Sequence, residues 1–85
     1  MMSVIVWSKE NCPSCVKAKT LLDNLKISYE VRQIGEDWTR EQLLEAVPTA
    51  RSVPQVIINN EAIGGFEQLA QYLEDTGYNG TGHTL

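Results

Sequence analysis

Apolar positions along the chain follow two rhythms, one of period two and one near 3.6. Val4-Ile5-Val6-Trp7 is a nearly unbroken run of β-branched and aromatic residues, the pattern of a central strand covered on both faces. Ser8-Lys9-Glu10-Asn11 after it reads as a loop. Pro13 stands where a helix can begin without losing a hydrogen bond. Cys15, Ala18, Leu22 and Leu25 follow at spacings near 3.6, with Leu21 beside them, which predicts an amphipathic helix of about three turns. Ile27 to Ile34 alternates, with Tyr29, Val31 and Gln33 on one face and Glu30, Arg32 and Ile34 on the other. This predicts a second strand with one wetter face. Gly35-Glu36-Asp37 reads as a turn. Thr39 with Gln42 matches a capping box, and Leu43, Leu44 and Val47 carry a short helix that Pro48 stops.

Gln55 to Ile58 predicts a third strand, entered through Pro54, and Glu61 to Ile63 a fourth, joined to it by Asn59-Asn60 as a hairpin. Gly64-Gly65 interrupts. Phe66, Leu69, Ala70 and Leu73 then mark a last amphipathic helix, which Gly77 stops. The expected domain covers residues 1–76, and residues 77–85, rich in Gly, Thr and Asn, read as a flexible tail. The element order β-α-β-α-β-β-α places the chain in the α/β class. The strand–helix–strand unit gives a parallel pair through a right-handed crossover, and the hairpin adds an antiparallel pair. A four-stranded mixed sheet with helices on both faces follows.

Composition narrows the choice of function. The chain has 85 residues, 42% of them hydrophobic and 21% charged, which fits one soluble globular domain. No apolar run approaches the roughly 20 residues that span a bilayer, so no membrane partner is expected. The first residues lack the basic lead and long apolar stretch of a signal peptide. A net charge of −4 leaves no nucleic-acid footprint. The two cysteines stand within four residues of each other. So short a loop gains little stability from being closed, which argues that the pair serves chemistry and suits a reducing, cytoplasmic setting.

Cys12-Pro13-Ser14-Cys15 falls where a strand gives way to a helix. A helix start presents unpaired N–H groups and the positive end of the dipole, and a thiolate at Cys12 is stabilised there. Such sites bring cysteine pKa values down to roughly 3.5–7.5 from about 8.5. Lys9 adds positive charge. The spacing sets the second sulfur beneath the first on the opening turn, making Cys12 the exposed attacker and Cys15 the more buried resolving thiol. Structural zinc takes four ligands, and the chain offers two cysteines and His83 in the tail, so no metal is expected.

Two further segments carry a candidate role. Ser52-Val53-Pro54 is a strand entry. It is also a possible cis peptide that holds the backbone of Val53 open beside the sulfurs, where an extended peptide could pair. Gly64-Gly65-Phe66-Glu67 is a hairpin exit and helix cap, and equally an anion pocket built on helix N–H groups. Trp7 and Trp38 read as packing residues.

Together these segments resemble the glutaredoxins, from about Val4 to Asp75. The matching pieces are Lys9-x-x-Cys12-Pro13-Ser14-Cys15, Arg51-Ser52-Val53-Pro54-Gln55-Val56 and Ile63-Gly64-Gly65-Phe66-Glu67. The resemblance implies a thioredoxin fold and a monomeric glutathione-dependent thiol–disulfide oxidoreductase. Its partners would be glutathione, as reductant, and disulfide-containing proteins such as ribonucleotide reductase. It implies that Cys12 forms the mixed disulfide, that Lys9 and Arg51 face the glycine carboxylate, and that Val53, ahead of a cis Pro54, pairs with the cysteine backbone. Gly65, Phe66 and Glu67 would hold the γ-glutamyl end. Ser14 stands where many members carry tyrosine or phenylalanine, Ala50 where glutamine is frequent, and Glu67-Gln68 where an aspartate pair is common. Two other readings of the same motifs are a thioredoxin-reductase-dependent donor to ribonucleotide reductase and a dimer sharing a glutathione-ligated [2Fe-2S] cluster.

Overall fold

In the computed structural model, residues 3–77 are described; the tail from Tyr78 onward, with His83, lies outside them. The elements are β1 (Val4–Ser8), α1 (Pro13–Asn24), β2 (Glu30–Gln33), α2 (Arg40–Ala46), β3 (Gln55–Ile58), β4 (Glu61–Gly64) and α3 (Phe66–Asp75), in the order expected. The strands lie side by side as β2-β1-β3-β4. β1 runs parallel to β2, with Ile5 opposite Glu30 and Ser8 opposite Gln33. It runs antiparallel to β3, with Val4 opposite Ile58 and Trp7 opposite Gln55, and β3 pairs antiparallel with β4. This is the mixed four-stranded sheet of the α/β class.

The period of two along each strand divides the apolar residues between two cores. Val4, Val6, Val56 and Ile58 face Ala18 and Leu22 of α1 and Leu69 and Leu73 of α3. Trp7, with Ile5 and Ile57 beside it, faces the other way, against Leu43 and Val47. Helices therefore cover both faces of the sheet. On the α2 side Trp7 and Trp38 meet edge to face, ring centroids 5.3 Å apart and planes 78° apart. The Arg32 guanidinium lies 4.3 Å from the centroid of Trp38 and 5.3 Å from that of Trp7, while its Nε donates to Glu30 Oε2 at 2.8 Å. A cation thus lies on two indole rings beside β2, whose exposure does not alternate as expected: Glu30 and Val31 are exposed while Arg32 and Gln33 are partly buried.

Element boundaries shift where local hydrogen bonding decides them. Ser8, expected in the loop, is the last residue of β1 and wholly buried, because the Ile34 N–H donates to its carbonyl at 2.8 Å and carries the pairing one step further. The second strand begins at Glu30 rather than Ile27. α1 ends in a Schellman motif with Lys26 at φ 59°, in which the Lys26 N–H reaches Asp23 O and the Ile27 N–H reaches Leu22 O, each at 3.0 Å. Ile27 therefore points its amide back at the helix, away from the sheet. Asn59 and Asn60, at φ 52° and 69°, form the two-residue hairpin turn that requires positive φ at both positions. The capping box at α2 is present in both directions: the Gln42 N–H donates to Thr39 Oγ1 at 3.2 Å and the Thr39 N–H to Gln42 Oε1 at 2.8 Å.

Leu22 is fully buried between sheet and helices, so Leu22→Ala should lower the free energy of urea unfolding by about 2–5 kcal/mol. Gly64, at φ +124°, leaves β4 where an added Cβ would come within 3.0 Å of Gln68 Cβ and Cγ. Gly64→Ala should cost more than about 1 kcal/mol in the same measurement, through backbone strain as much as crowding.

Candidate active site

Strand direction gathers the chemistry at one end of the sheet. β1 and β2 finish there, β3 starts there because it runs opposite to β1, and β4 finishes there because it runs opposite to β3. The loop after β1 carries Lys9 and Cys12, the loop before β3 carries Arg51, Val53 and Pro54, and the end of β4 leads into Gly65, Phe66 and Glu67. Segments more than forty residues apart in sequence thus meet within a few ångströms: Cys12 Sγ lies 3.6 Å from the carbonyl oxygen of Val53, |i−j| 41.

Cys12 is the cap of α1, in extended conformation at φ −120°, ψ 96°, and Pro13 takes the first helical position. The Cys15 N–H donates to Cys12 Sγ at 3.1 Å. In a helix cap this donor usually meets a serine or aspartate oxygen; here the sulfur takes its place. The Cys12 and Cys15 sulfurs form a disulfide, with Cα atoms 5.2 Å apart. Once it is reduced, the same N–H and the helix dipole face a Cys12 thiolate and favour the charged form. Exposure ranks the two residues in the expected order, 9% for Cys12 and 1% for Cys15, but Cys12 is less open than an exposed attacker. It is reached at an edge, because Val53 shields one side of it. Cys15 is sealed against the core, and its sulfur meets that of Cys12.

The Val53–Pro54 peptide bond is cis. No protein acceptor among the described residues takes the Val53 N–H, so this backbone is available to a partner strand. Three shallow depressions join here. One holds Cys12 with Lys9, Pro13 and Lys19. A second runs from Val53 and Pro54 to Gly65, Phe66 and Glu67, with Ser14 on its rim. A third runs from Val53 to Lys9, Arg51 and Arg40. The residues singled out in the sequence therefore line a trough of neighbouring depressions, the third sharing Lys9 with the first and Val53 with the second. Gly65 caps α3 without a side chain, and its own N–H donates to Gln68 Oε1 at 3.0 Å. The following amides, at the start of α3, have no carbonyl one turn back to bond.

Arg40 escaped the sequence reading, and Gln68 entered it only as standing with Glu67 where an aspartate pair is common. Gln68 had a signal: a glutamine three residues past a cap is half of a capping box. Arg40 had a weaker one, a cation in the first turn of a helix, where the dipole disfavours it.

The family model for Glutaredoxin matches residues 4–63. Glutaredoxin 3 of Escherichia coli (strain K12) is 34% identical over 70 residues, spanning 81% of this chain and 83% of that protein. Glutaredoxin 1 from Francisella tularensis, solved with cacodylate, superposes with a TM-score of 0.77 at 25% identity, over 89% of this chain and 96% of that one. A buckwheat glutaredoxin–glutathione complex superposes with a TM-score of 0.74 at 27% identity, over 86% of this chain and 69% of that one. Sequence, backbone course and the geometry at Cys12 agree, and the chain belongs to the glutaredoxin family of thiol–disulfide oxidoreductases, with the thioredoxin-like fold.

Proposed function

We propose that this oxidoreductase draws its electrons from glutathione and uses them to reduce glutathione mixed disulfides and protein disulfides. One observation carries the reading: the trough passes the open backbone of Val53 with cationic side chains at one end and the unpaired amides of α3 at the other. Glutathione is a short extended peptide with a carboxylate at each end and a free amine at one. In this reading Lys9 and Arg51 take the glycine carboxylate, and Val53 pairs with the cysteine backbone as one strand with another. The amides of Phe66 and Glu67 receive the γ-glutamyl carboxylate, and the Glu67 side chain receives the amine. The bound glutathione in the buckwheat relative supports the assignment.

The chemistry follows from the two sulfurs. The Cys12 thiolate attacks the glutathione sulfur of a mixed disulfide; the new bond joins Cys12 to glutathione, and the other sulfur leaves as a thiolate that takes a proton. A second glutathione thiolate then attacks the glutathione sulfur, releasing glutathione disulfide and restoring Cys12. With a protein disulfide, Cys12 bonds one substrate sulfur and the other departs reduced. Cys15 next attacks Cys12, the substrate leaves fully reduced, and the Cys12–Cys15 disulfide forms. Two glutathiones reduce it again. A reducing compartment such as the cytoplasm suits this cycle, since it supplies the thiol.

With glutathione, glutathione reductase and a small mixed disulfide, the wild-type protein should turn over and Cys12→Ser should fall to the uncatalysed rate. Cys15→Ser should keep mixed-disulfide reduction while losing protein-disulfide reduction. Opposite behaviour would exchange the two roles, and turnover with thioredoxin reductase but not with glutathione would overturn the proposal. Ultraviolet titration of the Cys15→Ser thiolate should give a midpoint below the free-thiol value of about 8.5, so that attack keeps its rate as pH falls to that midpoint and loses it below.

A further inference from the structure

Lys9, Arg40 and Arg51 are three of the chain's seven Lys and Arg residues, and they line one groove that no acidic side chain lines, in a chain of net charge −4. None of the three forms an ion pair among the described residues, where the one bridge joins Arg32 to Glu30. Glutathione offers this end of the trough a single carboxylate, for which Lys9 and Arg51 suffice. Arg40 is in excess. It also sits at the first position of α2, where the positive end of the dipole opposes a cation, so it does not serve the helix it begins. The groove wall between these cations is apolar, formed by Ile34, Leu43, Ala50 and the half-exposed Leu44. Glu10 and Glu36 line an adjoining depression that shares Lys9 and Ile34 with this groove, and Glu10 also borders the depression that holds Cys12, so the acids stop at the Lys9 end and none lies between Arg40 and Arg51.

We propose that this groove receives the cysteine-bearing segment of a protein disulfide whose residues following the cysteine are acidic, and that Arg40 is the specificity-determining residue for them. The inference rests on the reading above for the direction of the bound peptide, with its C-terminal side toward Lys9 and Arg51. A longer peptide paired with Val53 extends by about 3.3 Å per residue past the glycine position, along the groove toward α2. An acidic disulfide is otherwise a poor target for this protein. A thiolate on a chain of net negative charge repels it, and the local cations offset that repulsion at the point of encounter. In the first half-reaction the Cys12 thiolate bonds one sulfur of the peptide disulfide and the other peptide leaves as a thiol. Cys15 then attacks Cys12, the retained peptide leaves as a thiol, and the enzyme's two thiols have become its disulfide.

The test is single-turnover oxidation of the fully reduced protein by homodimeric peptide disulfides, with no glutathione present, so that its outcome is independent of the physiological reductant. Two peptides are used, identical except that two residues after the cysteine are Glu in one and Gln in the other. The wild-type protein should react at least fivefold faster with the acidic peptide at low ionic strength, the preference shrinking toward unity near 0.5 M salt, where the Debye length is about 4 Å. Arg40→Glu should abolish or invert the preference, and Arg40→Lys should restore part of it. Equal rates for the two peptides with the wild-type protein would overturn the proposal. So would a preference that survives Arg40→Glu, or an equal loss for both peptides in that variant, which would make Arg40 structural. Suppression of the preference by micromolar single-stranded oligonucleotide would assign the groove to a polyanion and equally overturn it.

Discussion

The pairing of β1 with a parallel neighbour on one side and an antiparallel neighbour on the other is the constraint from which the rest of the molecule follows. Its residues are apolar on both faces because both faces are covered, by α1 and α3 on one side and α2 on the other. Its two partners decide which loops share an end of the sheet. Because β3 runs against β1, the entry to β3 must lie beside the exit of β1, and Val53 therefore comes to rest against Cys12. Had β3 been parallel to β1, the same motifs would stand at opposite ends of the domain and the trough would not exist.

The cysteine pair exploits what a helix start leaves unfinished. A strand exit followed by Pro13 sets Cys12 at the cap, and the N–H of Cys15 then has only a sulfur to bond. Donor and dipole at this cap both favour negative charge on the sulfur itself. The difference between the two thiols comes from the same turn of helix. Cys12 is at its outer edge, while Cys15 belongs to the stripe with Ala18 and Leu22 that enters the core. One turn of helix thus holds one sulfur at the rim of the site and the other against the core.

The charge distribution shows why net charge is a poor guide to a site. A total of −4 describes the chain, yet the third of the joined depressions is lined by cations alone among its charged residues. These cations come from three places, the loop after β1, the first turn of α2 and the loop before β3, and no local stretch of sequence is basic enough to reveal them. The positive charge of Arg32, on β2, is put to a different use, lying over Trp38 and Trp7 beside the second core.

Much of this was legible in the chain itself, because the relevant forces act over one to four residues. An unbroken apolar run marked β1, alternation marked β2, Pro54 and Asn59-Asn60 marked the hairpin, the 3.6 period marked α1 and α3, Thr39 with Gln42 announced the cap of α2, and Cys12-Pro13-Ser14-Cys15 announced a sulfur at a helix start. Whatever depended on long-range pairing was not legible. Ser8 entered the strand only because Ile34 reached its carbonyl, Cys12 lost part of its exposure to Val53, and Arg40 became a neighbour of Lys9 and Arg51 only when the ends of β1 and β2 were brought level. Periodicity and capping are written in neighbouring side chains. Which segments meet at the mouth of the site is set by the register and direction of strands, which are properties of the closed sheet as a whole.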